Sequence, residues 1–313
     1  MRVIFMGTPD FAVSALEEMI LAGHQILAVV TQPDKPKGRG KTVQYSPVKE
    51  TALKYQIEVL QPIKVREPSV IDSIRTYEPD VIVVVAFGQI ITDAILKIPK
   101  YGCINIHASL LPKYRGAAPI QWSIIEGEKE TGVTAMLMDS GIDTGDILLK
   151  KAVNIAEKET GGSLHDKLKA EGGKLLIETL RQLEAGTITR TPQGEAATFY
   201  AKKLDKSLGQ IDWSKEAVDI ERLVRGLNPW PSASTHIQGK TIKLWDCDVL
   251  FEDYEGGIGE IVDIKPEGIL VKTGRNTIMI RKLQMEGKKS MTADAFLRGN
   301  PIEKGMFFQT KIT

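Results

Sequence analysis

The sequence predicts a two-domain α/β protein: an N-terminal Rossmann-like domain on a mostly parallel sheet, then a smaller C-terminal domain that reads as an OB-like β-barrel. Three observations carry this. Short Val- and Ile-rich runs, such as PDVIVVVA at 79–86, recur through the first 185 residues or so with room for a helix between them. Unbroken apolar runs of that kind mark strands covered on both faces, as in parallel sheets. Beyond Asp205 the pattern changes to short alternating segments divided by Gly and Asp turns, and the 313-residue length exceeds the usual size of one domain.

Residues 2–6 form the first strand. Thr8 is placed to cap a helix with Pro9 at its first position, and 11–21 carries helical apolar spacing that ends at Gly23. Strands follow at 24–31, 79–86 and 103–107, a helix at 117–126, strands at 134–138 and 147–153, and a long amphipathic helix at 163–184. The stretch 187–194, TITRTPQG, has turn and linker character. The expected division is therefore a first domain over 1–189, a linker over 190–206 and a barrel over 207–313. Within the last, a helix at 217–225 precedes strands at 241–245, 259–262, 268–271 and 277–280. Trp230, between Pro229 and Pro231, is expected to pack at the domain junction.

The net charge is +1 and a quarter of the residues are charged, which excludes a strongly basic nucleic-acid binder on bulk grounds. Any such surface must be local. The two cysteines, Cys103 and Cys247, lie far apart without CxxC spacing, so neither a zinc site nor a disulfide framework is implied. The apolar start is too short and too soon interrupted for a signal peptide or a membrane span, and a cytoplasmic enzyme with no membrane partner is expected.

The turn after the first strand, Gly7 to Phe11, lacks the GxGxxG spacing that brings a helix N-terminus onto a pyrophosphate, so a dinucleotide is not expected. The chemistry points to residues 104–146 instead. Asn105 and His107 interrupt an apolar strand, and residues at i and i+2 share a face roughly 7 Å apart. The glycine-rich DSGIDTGD at 139–146 can bring Asp143 beside them. Acyl transfer to an amine needs donors for a developing oxyanion and an acceptor for the amine proton; Asn105 and His107 suit the first task and Asp143 the second. On spacing alone, His107 is equally compatible with a satisfied core histidine and Asp143 with a turn stabiliser. Cys103 and His107 do not make a metal pair, since four residues of strand separate them by roughly 13 Å. His24, His165 and His236 carry no catalytic signal.

Two basic regions stand out. Lys35, Lys37, Arg39, Lys41 and Lys49 lie among Pro and Gly after the second strand, where a loop borders the cleft of an α/β sheet. From Lys265 onward there are ten Lys and Arg against four Asp and Glu, with Lys282, Lys288, Lys289 and Arg298 as candidates for a phosphate-facing surface.

NIHASLLP at 105–112, YRG at 114–116 and DSGIDTGD at 139–146 resemble the formyltransferases that use 10-formyltetrahydrofolate. FMGTPDF at 5–11, TQPDKPKGRGK at 31–41 and RGLNPWP at 225–231 extend the resemblance nearly end to end, toward the branch whose acceptor is methionyl initiator tRNA. The resemblance implies formyl transfer from the folate to the methionine α-amino group, with Asn105, His107 and Asp143 catalytic and no metal. It implies folate contact at Ser109, Leu110, Leu111 and Pro112, with Phe87, Gly88, Gln89 and Asp139 beside the pterin. Phe87 stands where the family often has Tyr. Phe11 would line the methionine pocket, and Lys35, Lys37, Arg39 and Lys41 would reach the tRNA acceptor stem of a monomeric enzyme's substrate. A sugar-nucleotide or purine-precursor formyltransferase, and a non-catalytic RNA-binding protein, are the competing readings.

Overall fold

The computed structural model describes residues 1–37 and 42–310. The chain divides into two compact units, one of Met1–Pro119, Glu130–Asn154 and His165–Ala201, the other of Ile120–Lys129, Ile155–Leu164 and Lys202–Thr313.

The first unit is built on strands β1 (Arg2–Gly7), β2 (Gln25–Val30), β3 (Lys35–Lys37), β4 (Thr42–Gln44), β5 (Val59–Leu60), β6 (Val81–Val85), β7 (Cys103–His107), β8 (Glu130–Leu137) and β9 (Ile147–Asn154). Seven of them form one sheet in the order β5-β2-β1-β6-β7-β8-β9. The first five are parallel, whereas β7–β8 and β8–β9 are antiparallel. Every residue of β6, VIVVV, is buried, as a strand covered on both faces requires. Helices α1 (Val13–Leu21), α2 (Pro47–Lys54), α3 (Pro68–Thr76) and α4 (Asp93–Leu96) connect the parallel strands. One layer of core joins Ile4, Met6, Val30, Ile82, Val84 and Phe87 to Ile71 and Ile74 of α3 and Ile95 of α4.

Helix α5 (Pro119–Ile125) precedes β8, and α6 (Gly161–Glu184) follows β9. The long helix lies against the sheet and α1 through Gly172 and Gly173. A Cβ on Gly172 would stand 3.1 Å from Ile106 Cγ2, and one on Gly173 would stand 2.8 Å from Ser14 Oγ. Larger side chains would force the helix away from β7.

The second unit holds α7 (Ala217–Gly226), β10 (Ala233–Ile237), β11 (Lys240–Leu250), β12 (Ile261–Lys265), β13 (Gly268–Lys272), β14 (Thr277–Met285), β15 (Met291–Thr292) and α8 (Ala293–Leu297). The antiparallel order is β10-β11-β14-β13-β12. The chain near residue 308 then bridges both edges, Phe307 to Glu260 beside β12 and Gln309 to His236 of β10, which closes the barrel. Closure removes the open edges that a sheet would otherwise present. Ala217, Ile220 and Val224 form the buried stripe of α7 over a core that includes Trp213, Leu244, Ile269, Ile278, Phe296 and Phe308. Trp213 stacks on Phe308 and donates its Nε1–H to Thr235 Oγ1 at 2.9 Å.

Three expectations are corrected. Thr8 caps no helix: its hydroxyl donates to the Phe87 carbonyl oxygen, and a short 3-10 turn at Asp10–Ala12 intervenes before α1. Trp230 is 54% exposed, because the tight turn between α7 and β10 buries Pro231 and Ser232 and turns the indole outward. Lys49 is no free cation of the basic loop. Its ammonium is 2.5 Å from Asp34 and 2.8 Å from Gln61 Oε1, with its side chain largely buried. The hydrogen bonds from Lys49 and then Gln61 hold the Asp34 carboxyl below its ordinary range.

Within the second unit, Lys158 Nζ donates to Asp248 Oδ1 and Arg281 Nε to Oδ2, both at 2.6 Å. Burial pushes the Asp248 carboxyl up, but these two donors outweigh it and hold the group below its usual value. A depressed folded pKa contributes stability that is present above the unfolded carboxylate value and is lost as pH falls through the folded value. Asp248→Asn is therefore expected to lower the melting temperature at neutral pH and to shrink the fall in melting temperature between roughly pH 5 and pH 3. Calorimetry of both proteins across that range checks it.

Candidate active site

Asn105 and His107 project from one face of β7. Asn105 is in register with Val84, one residue before β6 ends, and with Met136 of β8. The 86–89 connection therefore begins beside it, level with Gly7, which pairs with Val85. The Thr8 to Phe87 hydrogen bond ties together the loops after β1 and β6, at the point where the strand order reverses. That is where open α/β sheets form their clefts.

His107 is buried. Its Nε2 lies 3.0 Å from the carbonyl oxygen of Tyr114, which can only accept, so Nε2 carries the hydrogen. In the neutral ring Nδ1 is then the free base. Nδ1 stands 3.6 Å from Asp143 Oδ1, too far for a hydrogen bond and close enough for strong attraction once the ring is protonated. The other carboxylate oxygen, Oδ2, accepts the backbone N–H of Gly116 at 2.9 Å. Thus one short loop, 114–116, orients both side chains. It also refines the expected donor role of His107, because Nδ1 can donate to an oxyanion only after it has taken a proton. Asn105 differs. It is half-buried, and among the described residues none hydrogen-bonds its carboxamide.

Asp143 arrives from an unexpected direction. β8 ends at Leu137 opposite Ile104, three residues before His107, so the 138–146 connection reaches back along β7. Asp139 Oδ1 accepts from Gly141 N–H at 3.0 Å and Thr144 Oγ1 at 2.7 Å, which folds the turn upon itself. A Cβ on Gly145 would lie 1.8 Å from the Leu137 carbonyl oxygen, and Asp143 itself has a positive φ of 55°. This explains the glycines around the carboxylate. Asp139 braces the turn.

The expected folate segment is shaped from within. Ser109 is fully buried, its hydroxyl donates to Lys113 O at 2.6 Å, and its carbonyl accepts from Thr134 Oγ1. Leu111 is likewise buried, with Met136 and Ile147. Leu110 and Pro112 are only partly covered. Phe87 is 2% exposed with its ring in the core, Gly88 is exposed with φ of 81°, and Gln89 binds Val65 N–H and the Pro62 carbonyl. At Phe87 and Gly88 the accessible groups are thus backbone atoms. Phe11 is buried and meets His165 edge to face at 5.4 Å.

Lys35 is exposed on β3, which pairs with β4. Arg39 and Lys41 lie outside the described residues, as does the Lys37 side chain. Asp10, His165 and Asp166 have ligand atoms within 4.8 Å of one another, but Asp10 is bound by Lys169 at 2.6 Å. Burial pushes the Cys103 thiol up to about 12.

Residues 190–201 supply contacts that sequence reasoning missed. Thr191 bridges Ile147, Gln193 binds the Asp143 turn, Thr198 Oγ1 accepts Tyr114 N–H at 2.7 Å, and Ala201 N–H donates to Arg115 O at 2.7 Å. Their turn-rich composition gives no hint of this.

A mostly parallel sheet whose β7 holds Asn105 and His107 beside Asp143, one strand from the reversal point, makes a candidate acyl-transfer site of the α/β class. Residues 1–180 match the family described as Formyl transferase, residues 203–301 match Formyl transferase, C-terminal domain, and the chain belongs to this family. It is 56% identical over 310 residues to the methionyl-tRNA formyltransferase of Agathobacter rectalis, covering 98% of this chain and 99% of the relative. The protein of the same name from Clostridioides difficile is 52% identical over 306 residues, with 98% and 99% covered. The fold resembles WlaRD, a sugar 3N-formyl transferase, at a TM-score of 0.67 and 19% identity, covering 92% of this chain and 99% of that one. It also resembles HypX from Aquifex aeolicus in complex with tetrahydrofolic acid, at 0.60 and 20%; this chain is 99% covered but spans about half the length of HypX.

Gly145→Ala is expected to displace Asp143 and cut turnover by about two orders of magnitude, since misplacing a catalytic group by an ångström costs about that much. Far-ultraviolet circular dichroism should be unchanged. Steady-state kinetics beside that spectrum check the outcome.

Proposed function

We propose that this chain transfers the formyl group of 10-formyltetrahydrofolate to the α-amino group of methionyl initiator tRNA, giving N-formylmethionyl-tRNA for translation initiation. The observation that carries the reading is identity of 50–56% over nearly the whole chain to relatives named methionyl-tRNA formyltransferase. The amine attacks the formyl carbon on N10 and a tetrahedral oxyanion forms. The C–N10 bond then breaks, N10 gains a proton and the amine nitrogen loses one. Asn105 supplies the uncommitted donor for the oxyanion. His107 Nδ1, facing Asp143, takes the amine proton, and the resulting imidazolium is held between the Tyr114 carbonyl and the Asp143 carboxylate before it protonates N10.

The donor is placed against Leu110 and Pro112, with backbone groups of Phe87, Gly88 and Gln89 beside the pterin; Ser109, Leu111 and Asp139 act by fixing the loops. Phe11 lines the methionine pocket. We assign catalysis to 1–189, a linker to 190–206 and tRNA contact to the barrel at 207–313, in a monomeric cytoplasmic enzyme. Among the described residues no helix is long and apolar enough to cross a membrane. Lys35, Lys37, Arg39 and Lys41 approach the acceptor stem. In the barrel the positive excess is partly neutralised, because Lys272, Arg275, Arg281 and Arg298 each face an acid. Lys282, Lys288 and Lys289 remain exposed for phosphates.

The test presents 10-formyltetrahydrofolate with methionyl initiator tRNA or with a sugar-nucleotide amine. Formylation of the tRNA is expected; formylation of the sugar alone would sink the reading. In the same assay Asn105→Ala should lower kcat by about two orders of magnitude with tRNA binding intact, as loss of one oxyanion donor does. Arg39→Ala should weaken tRNA use and reduce the slope of log affinity against log salt by about one. Titrations at several salt concentrations decide the second point.

A further inference from the structure

We propose that Gln193 is a positioning residue for formyl transfer, which rests on the function proposed above: its carboxamide clamps the turn that carries Asp143 to the loop that orients His107. The Nε2 amide donates to the Asp143 carbonyl at 3.0 Å and to the Gly145 carbonyl at 2.6 Å. The Oε1 accepts from Arg115 Nε at 3.1 Å and Nη2 at 3.0 Å. A carboxamide has two donor hydrogens and one doubly accepting oxygen, and here all are used. Arg115 Nη2 also donates to the Gly194 carbonyl at 3.0 Å, so guanidinium and strap hold each other.

The position of Arg115 gives the clamp its consequence. Its neighbours in the chain are Tyr114, whose carbonyl takes the His107 Nε2 hydrogen, and Gly116, whose N–H holds Asp143 Oδ2. Gln193 thus fixes, from outside, the two backbone segments that set the 3.6 Å separation of His107 and Asp143. It touches neither acid–base side chain. Residues 190–201 are mostly exposed, and the two that turn inward in 192–200 are Gln193 and Thr198, the residues bonded to these loops. A segment serving only as a connection has no need of such a pattern. Asp139 braces the turn from within and Gly116 holds the Asp143 carboxylate, while Gln193 adds the hold on its backbone carbonyls, at a residue of positive φ.

Gln193→Glu is nearly isosteric and discriminates sharply. It keeps an acceptor for Arg115 but replaces the two donors with an oxygen facing two carbonyl oxygens. The expected result is a fall in kcat of about 10²-fold, with KM for 10-formyltetrahydrofolate and for methionyl-tRNA within about a factor of two and the melting temperature essentially unmoved. Unchanged kcat would overturn the proposal, as would a loss carried mainly by KM or matched by a collapse in stability. Thr198→Val, which removes the acceptor of the Tyr114 N–H, is the second variant should Gln193→Glu fail to fold. It is expected to give the same split of kcat from KM, and wild-type kcat would equally count against the strap. The wild-type reaction runs alongside. Its failure on methionyl-tRNA would defeat the proposed function, whereas normal wild-type turnover with an unimpaired variant defeats this inference alone.

Discussion

The backbone of residues 114–116 is the constraint on which the site depends. A buried imidazole and a nearly buried carboxylate are costly to take out of water unless each is hydrogen-bonded. Tyr114 gives a carbonyl to one and Gly116 an amide to the other. That requires the chain to reverse sharply within three residues, and both Tyr114 and Gly116 have positive φ, 53° and 122°. A Cβ on Gly116 would stand 2.6 Å from the Ala201 carbonyl oxygen, so the reversal is packed from outside as well. The geometry leaves the imidazole and carboxylate apart by slightly more than a hydrogen bond.

The sheet makes the arrangement accessible. β7 is the last parallel strand, and β8 beside it runs the other way. A further parallel strand would demand a crossover connection over one face of the sheet. The antiparallel hairpin instead returns by a turn that lies back along β7 and carries a carboxylate to His107. Asn105, one pleat earlier on the same face, has no hydrogen-bond partner for its carboxamide among the described residues. The strand therefore presents two polar side chains on one face, His107 hydrogen-bonded through Nε2 and Asn105, among the described residues, through neither carboxamide atom.

Much of this was legible from residues. The buried run of β6, the polar pair in β7 and the glycines around Asp143 announced themselves because period-two patterning and turn chemistry are local properties. The barrel strands were legible for the same reason. What depends on distant partners was not. Ser109 reads as a ligand contact until Lys113 and Thr134 are seen to absorb its polar atoms. Lys49 reads as a phosphate contact until Asp34 and Gln61 are found around it. Trp230 reads as packed at the domain junction, yet its side chain is more than half exposed. Residues 120–129 and 155–164 belong with the second unit without any change in composition to say so.

Charge shows the same dependence on partners, with a functional consequence. The late barrel is strongly positive as a string, yet salt bridges to Glu216, Asp248, Asp253 and Asp294 engage four of its cations. Paired surface cations contribute little to binding a polyanion, because a phosphate must compete with a carboxylate already in place. Lysines without such partners keep their full counterion release. Among the described residues no acid pairs with Lys282, Lys288 or Lys289, and they lie on or just after β14. The tRNA contact proposed for the barrel is therefore assigned to this short stretch and not to the net charge of the domain.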